Sequence, residues 1–282
     1  RLDGAGLTEL MNAERVTTYC GVPTVHLGLL AHWKTTGESV PSLRTVTTGG
    51  AAPTSALIEA FRSRGIGFVH GWGMTETSPV GTISRITPAE EGLDEAGQVA
   101  FLMRQGRKLF GVELRTVDES GAVLPRDGKS FGELQIRGPW ICSAYLGDAP
   151  GSALTADGWF PTGDVAVLHP DGSMQITDRK KDLIKSGGEW ISSLDLEEAA
   201  ARHPEIAMAA VIGVPHEKWG ERPLLIAQPA PGAAPTKESV LEFLEGQVSK
   251  IWLPDDVVFV PALPLGPTGK VQKMQLREKY GR

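Results

Sequence analysis

Apolar and polar residues recur at helical and then at strand-like spacing over the first hundred residues. In TVHLGLLAHWK the apolar side chains follow a helical period, which predicts a helix that opens at Pro23. The run LRTVTTGG is short, rich in β-branched residues and ends in Gly49 and Gly50. A second helix, ALIEAFRSRG, and a second strand, IGFVH, lead into GWGMTETSP. The pattern predicts a β-α-β unit.

The geometry of that unit places two small-residue segments together. A right-handed crossover makes its strands parallel, so GGAAP and GWGMTET reach the same carboxyl edge of the sheet, where ligands of open α/β sheets bind. Gly71 and Gly73 permit close backbone approach, and Trp72 offers an aromatic face between them. Because the third glycine of a dinucleotide fingerprint is missing, the pattern does not indicate an NAD site.

The remaining two thirds of the chain show two different patterns of predicted secondary structure. From about Gly97, VELRTVD, GELQIRG, ICSAYLG and the hairpin DVAVLH-PDG-SMQITD have strand spacing and predict a small antiparallel barrel. After DRKKD, a tight DLIKS–EWIS hairpin turns at Gly187 and Gly188. SLDLEEAAARHP and KESVLEFLEGQVSKIW then predict helices, while AAVIGV, PLLIAQ and VVFV predict strands. The predicted fold class is α/β: a partial parallel-sheet domain (1–97), a barrel-like subdomain (98–178) and a separate α+β domain (179–282).

Composition narrows the classes of function. The 282 residues are 41% hydrophobic and 22% charged, which is typical of a globular protein. A net charge of −6 provides no basic surface for nucleic acid. Since no window approaches the ~18 unbroken apolar residues of a membrane helix, we expect no integral membrane segment. Cys20 and Cys142 lack metal-ligand spacing, so we expect reduced core residues and a cytoplasmic location.

A lysine stands on a Pro/Gly turn near the carboxyl end, in GPTGKVQK. A P-loop needs a glycine five positions before its Gly-Lys pair and Ser or Thr after it. Pro264 and Val271 occupy these positions. Lys270 is therefore not a P-loop lysine. The turn by itself leaves open whether Lys270 binds phosphate in another way or is only an exposed residue of a surface turn.

Three stretches together resemble a known superfamily. GWGMTET, then GWFPTGD running on to ITDRKKDLIKSGGEWIS, then LPLGPTGKVQK match in order the motifs of the adenylate-forming (AMP-binding) enzymes. That superfamily includes acyl-CoA synthetases, luciferases and peptide-synthetase adenylation domains. SGGEWIS is most similar to the medium- and long-chain fatty acyl-CoA synthetases, close to the 3-methylmercaptopropionate-CoA ligase type. The resemblance covers the chain from about Val16 to Lys273.

The resemblance implies a reaction in two halves. A fatty or methylthio-substituted carboxylic acid attacks the α-phosphate of ATP, giving an acyl-adenylate and pyrophosphate; the thiol of coenzyme A then displaces AMP. Trp72 is expected to stack on adenine, Thr75 to bond the α-phosphate and Glu76 to ligate Mg²⁺. Without the surrounding motifs, a capping Thr-x-x-Ser turn with a solvated glutamate is the favoured explanation of Thr75 and Glu76.

The resemblance also assigns the carboxyl-terminal residues. Asp164 and Arg179 are expected to reach the ribose, and Lys270 is expected to be the catalytic lysine of the mobile carboxyl-terminal domain. Lys181 falls at the hinge position, although it is also one charge in a solvated run. The remaining expected cofactor-binding residues are Gly50, Ala51, Ala52, Pro53, His70, Gly71, Gly73, Lys185, Gly187, Gly188 and Glu189.

Two of these groups have plainer interpretations. Gly187, Gly188 and Glu189 resemble the loop that lines the pantetheine channel, but a hairpin turn alone also explains the two glycines. Gly49 to Pro53 resemble the segment beside the nucleotide and the acyl pocket. His70 is a weaker candidate for that pocket, because a lone histidine at the end of a strand is more often structural.

One departure from the superfamily pattern limits the expected activity. Its members carry, well upstream of GWGMTET, a Ser/Thr- and Gly-rich loop that wraps the outer phosphates of ATP, and the 282 residues contain none. We therefore expect the carboxyl-terminal half of a longer gene product, inactive alone. Two alternatives stay open: an adenylating enzyme with a carrier-protein acceptor, and a non-catalytic nucleotide-binding or interaction module.

Overall fold

The computed structural model describes residues 3–266 and 270–281. The chain forms two compact units. The first comprises residues 1–162 and 166–176, and the second comprises residues 163–165 and 177–282. Each unit has its own hydrophobic core. None of the helices within the described ranges combines the length and the apolarity needed to cross a bilayer.

The first unit opens with three helices and three parallel strands. Its helices are α1 (Gly4–Ala13), α2 (Pro23–Thr36) and α3 (Ser55–Arg62), and its strands are β1 (Thr18–Gly21), β2 (Thr45–Thr48) and β3 (Gly67–Trp72). The strands pair as β1-β2-β3, all parallel. The predicted β-α-β unit is confirmed as β2-α3-β3.

Local signals account for the ends of these helices. Pro23 occupies the first turn of α2, and Gly37 ends it in the left-handed conformation at φ 75°. The side chain of Thr54 caps α3 by accepting from the amide of Leu57 at 3.3 Å. One face of α3 then buries Leu57, Ile58 and Phe61 against the parallel strands.

The sheet of the first unit continues in antiparallel fashion. Strand β4 (Thr82–Ser84) is followed by helix α4 (Glu95–Met103) and by β5 (Gly106–Lys108), β6 (Glu113–Val117), β7 (Phe131–Arg137), β8 (Phe160–Leu168) and β9 (Ser173–Arg179). In the described chain these strands join β1, β2 and β3 in one nine-stranded mixed sheet, in the order β1-β2-β3-β4-β5-β9-β8-β7-β6. Helix α4 passes through the predicted boundary at residue 97; the three-part division and the closure of a barrel stay predictions.

The second unit is an α+β arrangement. It contains the hairpin β10 (Ile184–Ser186) and β11 (Glu189–Ile191), helix α5 (Ser193–Ala201), β12 (Ile206–His216), β13 (Gly220–Pro229), α6 (Lys237–Leu244), β14 (Asp256–Phe259) and α7 (Lys273–Tyr280). Its sheet has the order β11-β10-β13-β12, with β14 parallel to β13. The predicted hairpin at Gly187 and Gly188 is confirmed.

Three local predictions are wrong. ICSAYLG forms no strand, because the amide of Cys142 bonds Glu76 and not a neighbouring strand. The helix KESVLEFLEGQVSKIW ends at Leu244, since Gly246 adopts a left-handed φ of 81°. Cys20 is exposed on β1 instead of lying in the core, and Cys142 is half-buried. Strand β1 itself had no sequence prediction.

Candidate active site

The GWGMTET segment leaves the end of β3 and closes into a 3₁₀ turn over Thr75–Thr77. The hydroxyl of Thr77 fixes this turn: it accepts from the amide of Met74 at 2.9 Å and lies 2.8 Å from the carbonyl of Pro79. Thr77 is fully buried, whereas Thr75 is exposed. The turn is therefore held by Thr77, which sequence reasoning missed, and the side chain of Thr75 faces solvent.

The glycines at this edge of the sheet meet closely packed backbone. A Cβ on Gly73 would lie 1.8 Å from the carbonyl oxygen of Pro79, and one on Gly49 would lie 3.1 Å from that of Gly71. Gly50 has a left-handed φ of 82°. The predicted segments GGAAP and GWGMTET thus touch, with Ala51 and Ala52 exposed and Pro53 buried.

Trp72 packs into the core beside the antiparallel strands. Its surface is only 8% exposed, and its buried neighbours include Leu114 and Ile136. A Cβ on Gly81 would lie 2.6 Å from the indole ring, so that face is covered. Stacking on adenine requires an accessible face and stays a prediction.

His70 is enclosed within the first unit. It is 2% exposed, and its Nδ1 lies 3.3 Å from the carbonyl of Leu102. Burial lowers the pKa of His70 from 6.5 to about 4, with the backbone carbonyls of Leu102, Arg104 and Met103 opposing the shift. The imidazole is therefore neutral at pH 7, and a nucleotide-binding role for it stays a prediction.

Glu76 is half-buried and held from two directions. Its Oε1 accepts from the hydroxyl of Tyr145 at 2.9 Å, and its carbonyl accepts from the amide of Cys142 at 2.8 Å. Within residues 3–266 and 270–281, no group of three or more His, Cys, Asp or Glu residues could hold a metal. A single carboxylate fits Mg²⁺ that completes its coordination with waters and substrate phosphates. The donor chemistry of Glu76 therefore suits the predicted metal.

Three predicted residues come together in the second unit. The Nε of Arg179, at the end of β9, lies 3.3 Å from the Oδ1 of Asp164 on β8, whose side chain is 8% exposed. Desolvation lowers the pKa of the Lys270 ammonium, Arg179 lowers it further, and Asp164 opposes both. The structure thus brings Asp164, Arg179 and Lys270 into one electrostatic group.

Two backbone hydrogen bonds join residues on either side of positions 267–269. The amide of Gly266 donates to the carbonyl of Lys270 at 2.8 Å, and the amide of Gln272 donates to Pro264 at 2.8 Å. The centre of the predicted Pro/Gly turn, residues 267–269, lies outside the described residues.

Helix α7 begins at Lys273, three residues after Lys270, and an ion pair ties it to α5. The Nζ of Lys273 lies 2.7 Å from the Oε1 of Glu197 and 2.5 Å from the hydroxyl of Ser193. The amide of Ser193 donates to Asp178 at 2.6 Å. Burial raises the pKa of Glu197, and Lys273 opposes the shift. This network was not predicted, because its members lie far apart in the sequence.

The predicted hinge lies next to a turn with long-range contacts. Lys181 is exposed, while Asp182 is buried and bonds Arg277 at 2.7 Å. The division between the compact units falls at residues 176 and 177, shortly before Lys181. The role of Lys181 as a hinge stays a prediction.

The glycine hairpin has an open side and a closed side. Gly187 and Gly188 have φ values of 60° and 88°, which suit a type I′ turn. A Cβ on Gly187 would meet the ring of Trp219 at 2.6 Å, whereas one on Gly188 would meet nothing within 4 Å. Glu189 is exposed, and the Nζ of Lys185 lies 4.7 Å from the centroid of Trp190. A turn explains both glycines, and a channel role stays a prediction.

Both ends of the chain match a characterised enzyme family. Residues 1–146 match the AMP-binding enzyme family, and residues 195–270 match the C-terminal domain of AMP-binding enzymes. The chain therefore belongs to the AMP-binding enzyme family. This agrees with the resemblance carried by GWGMTET, GWFPTGD and GPTGKVQK.

Two curated relatives within this family are similar to nearly the whole chain. The chain is 49% identical over 280 residues to a 3-methylmercaptopropionyl-CoA ligase of Ruegeria lacuscaerulensis, covering 99% of this chain and 52% of the relative. It is 46% identical over 283 residues to a medium-chain-fatty-acid–CoA ligase of Ectopseudomonas oleovorans, covering 99% of this chain and 51% of the relative. The chain thus spans about half the length of these relatives.

Solved structures share the fold over nearly all of the chain. ATP-bound MatB from Rhodopseudomonas palustris superposes with a TM-score of 0.84 at 30% identity, covering 99% of this chain and 53% of MatB. The amide bond synthetase McbA from Marinactinospora thermotolerans gives a TM-score of 0.86 at 28% identity, covering 99% of this chain and 56% of McbA. The α/β fold with its large mixed sheet is therefore that of known AMP-binding enzymes.

Proposed function

We propose that this chain is part of an ATP-dependent acyl-CoA ligase that forms an acyl-adenylate and then acyl-CoA, releasing pyrophosphate and AMP. The observation that carries the proposal is the 49% identity to a 3-methylmercaptopropionyl-CoA ligase over 99% of the chain. Together with the fatty-acid ligase relative, it favours a fatty or methylthio-substituted acid as substrate. The enzyme acts in the cytoplasm on small molecules.

In the first half-reaction, the proposed roles are contacts to the phosphates, the nucleotide and the metal. The exposed hydroxyl of Thr75 bonds the α-phosphate, and Trp72, with the segment around Gly50, contacts the nucleotide. Glu76 would hold Mg²⁺, which when bound would supply positive charge at the phosphate oxygens. Asp164 accepts from the ribose hydroxyls.

Lys270 has the proposed catalytic role in that half-reaction. Its ammonium offsets negative charge that develops as the carboxylate attacks the α-phosphate. The 3.3 Å contact of Asp164 with Arg179, and the effect of both side chains on the pKa of the Lys270 ammonium, support this role.

In the second half-reaction, the thiol of coenzyme A attacks the acyl carbon and AMP leaves. Gly187, Gly188 and Glu189 line the path of the pantetheine arm, and the open space beside Gly188 supports this assignment. Lys181 serves as the hinge about which the carboxyl-terminal domain rotates between the two half-reactions.

The test uses the complete gene product with fatty and methylthio-substituted acids. Acid-dependent exchange of pyrophosphate into ATP measures the first step, and acyl-CoA formation measures the second. AMP release that does not respond to coenzyme A would contradict the ligase assignment. Faster transfer to an acyl carrier protein would favour a carrier acceptor, and absence of exchange would favour a non-catalytic module.

A variant of Lys270 tests its assigned role. Lys270→Ala should slow adenylation by about 10²- to 10³-fold, the usual effect of removing one group that stabilises developing charge. Thioester formation from a supplied acyl-adenylate should change far less. Lys279→Ala, which removes an exposed lysine of α7, is the matched control. Equal losses in both steps would refute the role.

A further inference from the structure

The segment between β7 and β8 makes three hydrogen bonds to Glu76 and Val80, two of them to Glu76 of the GWGMTET turn. The indole N–H of Trp140 donates to the carbonyl of Val80 at 3.3 Å, and the amide of Cys142 donates to the carbonyl of Glu76 at 2.8 Å. The hydroxyl of Tyr145 donates to the Oε1 of Glu76 at 2.9 Å. We call residues 138–146 the clasp segment. The roles proposed above use none of its side chains.

The clasp segment is anchored independently of Tyr145. Trp140, Ile141 and Cys142 pack against the buried cluster that contains Val112 and Leu134. Tyr145, by contrast, is 53% exposed. Its ring therefore adds little to the core, while its hydroxyl makes a specific bond to a carboxylate.

Two hydrogen bonds restrict the conformation of Glu76. The amide of Cys142 fixes the backbone of Glu76, and the phenol fixes one oxygen of its carboxylate. A carboxylate accepts several hydrogen bonds, so a bond to Oε1 leaves lone pairs on both oxygens for another partner. A glutamate without this bond would have to be ordered when it binds a cation, at a cost in conformational entropy.

We propose that Tyr145 is a positioning residue that orients the Glu76 carboxylate before a divalent cation binds. The inference rests on the proposed role of Glu76 as the ligand of nucleotide-bound Mg²⁺. Tyr145 contacts neither cation nor nucleotide in this scheme; it acts through Glu76. The Glu76 carboxylate would then bind the cation in a side-chain orientation that the Tyr145 hydrogen bond has already fixed.

The test compares Tyr145→Phe with the unchanged protein, both as complete gene products. Cation binding is read directly by electron paramagnetic resonance of free Mn²⁺ in the presence of ATP, without turnover. Loss of one hydrogen bond should weaken Mn²⁺ binding about 3- to 10-fold. The Mg²⁺ concentration for half-maximal pyrophosphate exchange should rise by the same factor, with the rate at saturating Mg²⁺ little changed. Tyr280→Phe, in the second unit, is the matched control.

A double-mutant cycle with Glu76→Gln decides whether Tyr145 acts through Glu76. If it does, Glu76→Gln weakens Mn²⁺ binding and Tyr145→Phe adds nothing in that background. An equal effect of Tyr145→Phe in both backgrounds would overturn the inference, as would unchanged Mn²⁺ binding in Tyr145→Phe alone. If Glu76→Gln itself leaves Mn²⁺ binding unchanged, both the inference and the proposed metal role of Glu76 fail, although the ligase assignment is still judged by its own assay.

Discussion

Acidification should destabilise the first unit through His70. Burial lowers the pKa of His70 to about 4 in the folded chain, against 6.5 for an unperturbed histidine. Between these values the unfolded chain binds a proton that the native chain does not, so the free energy of unfolding falls as pH falls. The difference corresponds to about 3 kcal/mol. Well above pH 6.5 both states leave this residue unprotonated, so it contributes no pH dependence there.

The substitution that isolates the effect is His70→Asn. Its amide places an N–H near the position of Nδ1, so the bond to the carbonyl of Leu102 is kept while the titration is removed. His26, whose pKa burial also lowers, stays in both proteins and cancels in the comparison. His216→Asn is the control at a half-exposed position, where an asparagine oxygen replaces Nδ1 as the acceptor for the amide of Lys218.

The measurement follows unfolding in the first unit alone. Hydrogen exchange of the β3 amides as a function of urea gives a local free energy of unfolding, and it is repeated from pH 7 to pH 4. The unchanged protein and His216→Asn should lose about 3 kcal/mol more than His70→Asn over this range. Parallel losses in all three proteins would show that folding does not lower the pKa of His70 and would refute the prediction.

Two further predictions concern the second unit. Lys273→Met should lower its free energy of unfolding by about 3 kcal/mol, the low end of the range for a buried pair, because the Glu197 carboxylate, whose side chain is 17% exposed, loses its cation. Urea unfolding measures the loss, and the double variant Lys273→Met/Glu197→Met should recover most of it, whereas additive losses would contradict the pairing. Gly188→Ala should cost roughly 1–2 kcal/mol for its left-handed backbone. Gly187→Ala should cost more and shift the fluorescence of Trp219, since its Cβ would meet that ring at 2.6 Å; equal costs would show that the ring moves away freely.

Much of the fold was predictable because its signals are local. The β2-α3-β3 unit follows from apolar periodicity and from the Thr54 cap, and the β10–β11 hairpin follows from Gly187 and Gly188. Each signal acts on residues only a few positions away. The order of the three motifs also predicted the family, and the family matches to residues 1–146 and 195–270 confirmed it.

The failures arise where a distant contact overrides a local pattern. ICSAYLG alternates like a strand, yet the amide of Cys142 bonds Glu76, so the segment is irregular. Cys20 has apolar sequence neighbours, but the sheet presents it to solvent. No sequence window contains the information about which surface a residue will meet.

The sequence by itself determined the helices and strands with strong periodicity, the turns that need glycine, and the order of motifs that identifies the family. Only the tertiary structure decided that Tyr145 bonds Glu76 across 69 residues, that Lys273 pairs with Glu197, and that His70 is enclosed. The physical reason is that periodicity, caps and backbone conformation depend on neighbours along the chain. Desolvation and hydrogen bonding depend on neighbours in space, which folding selects.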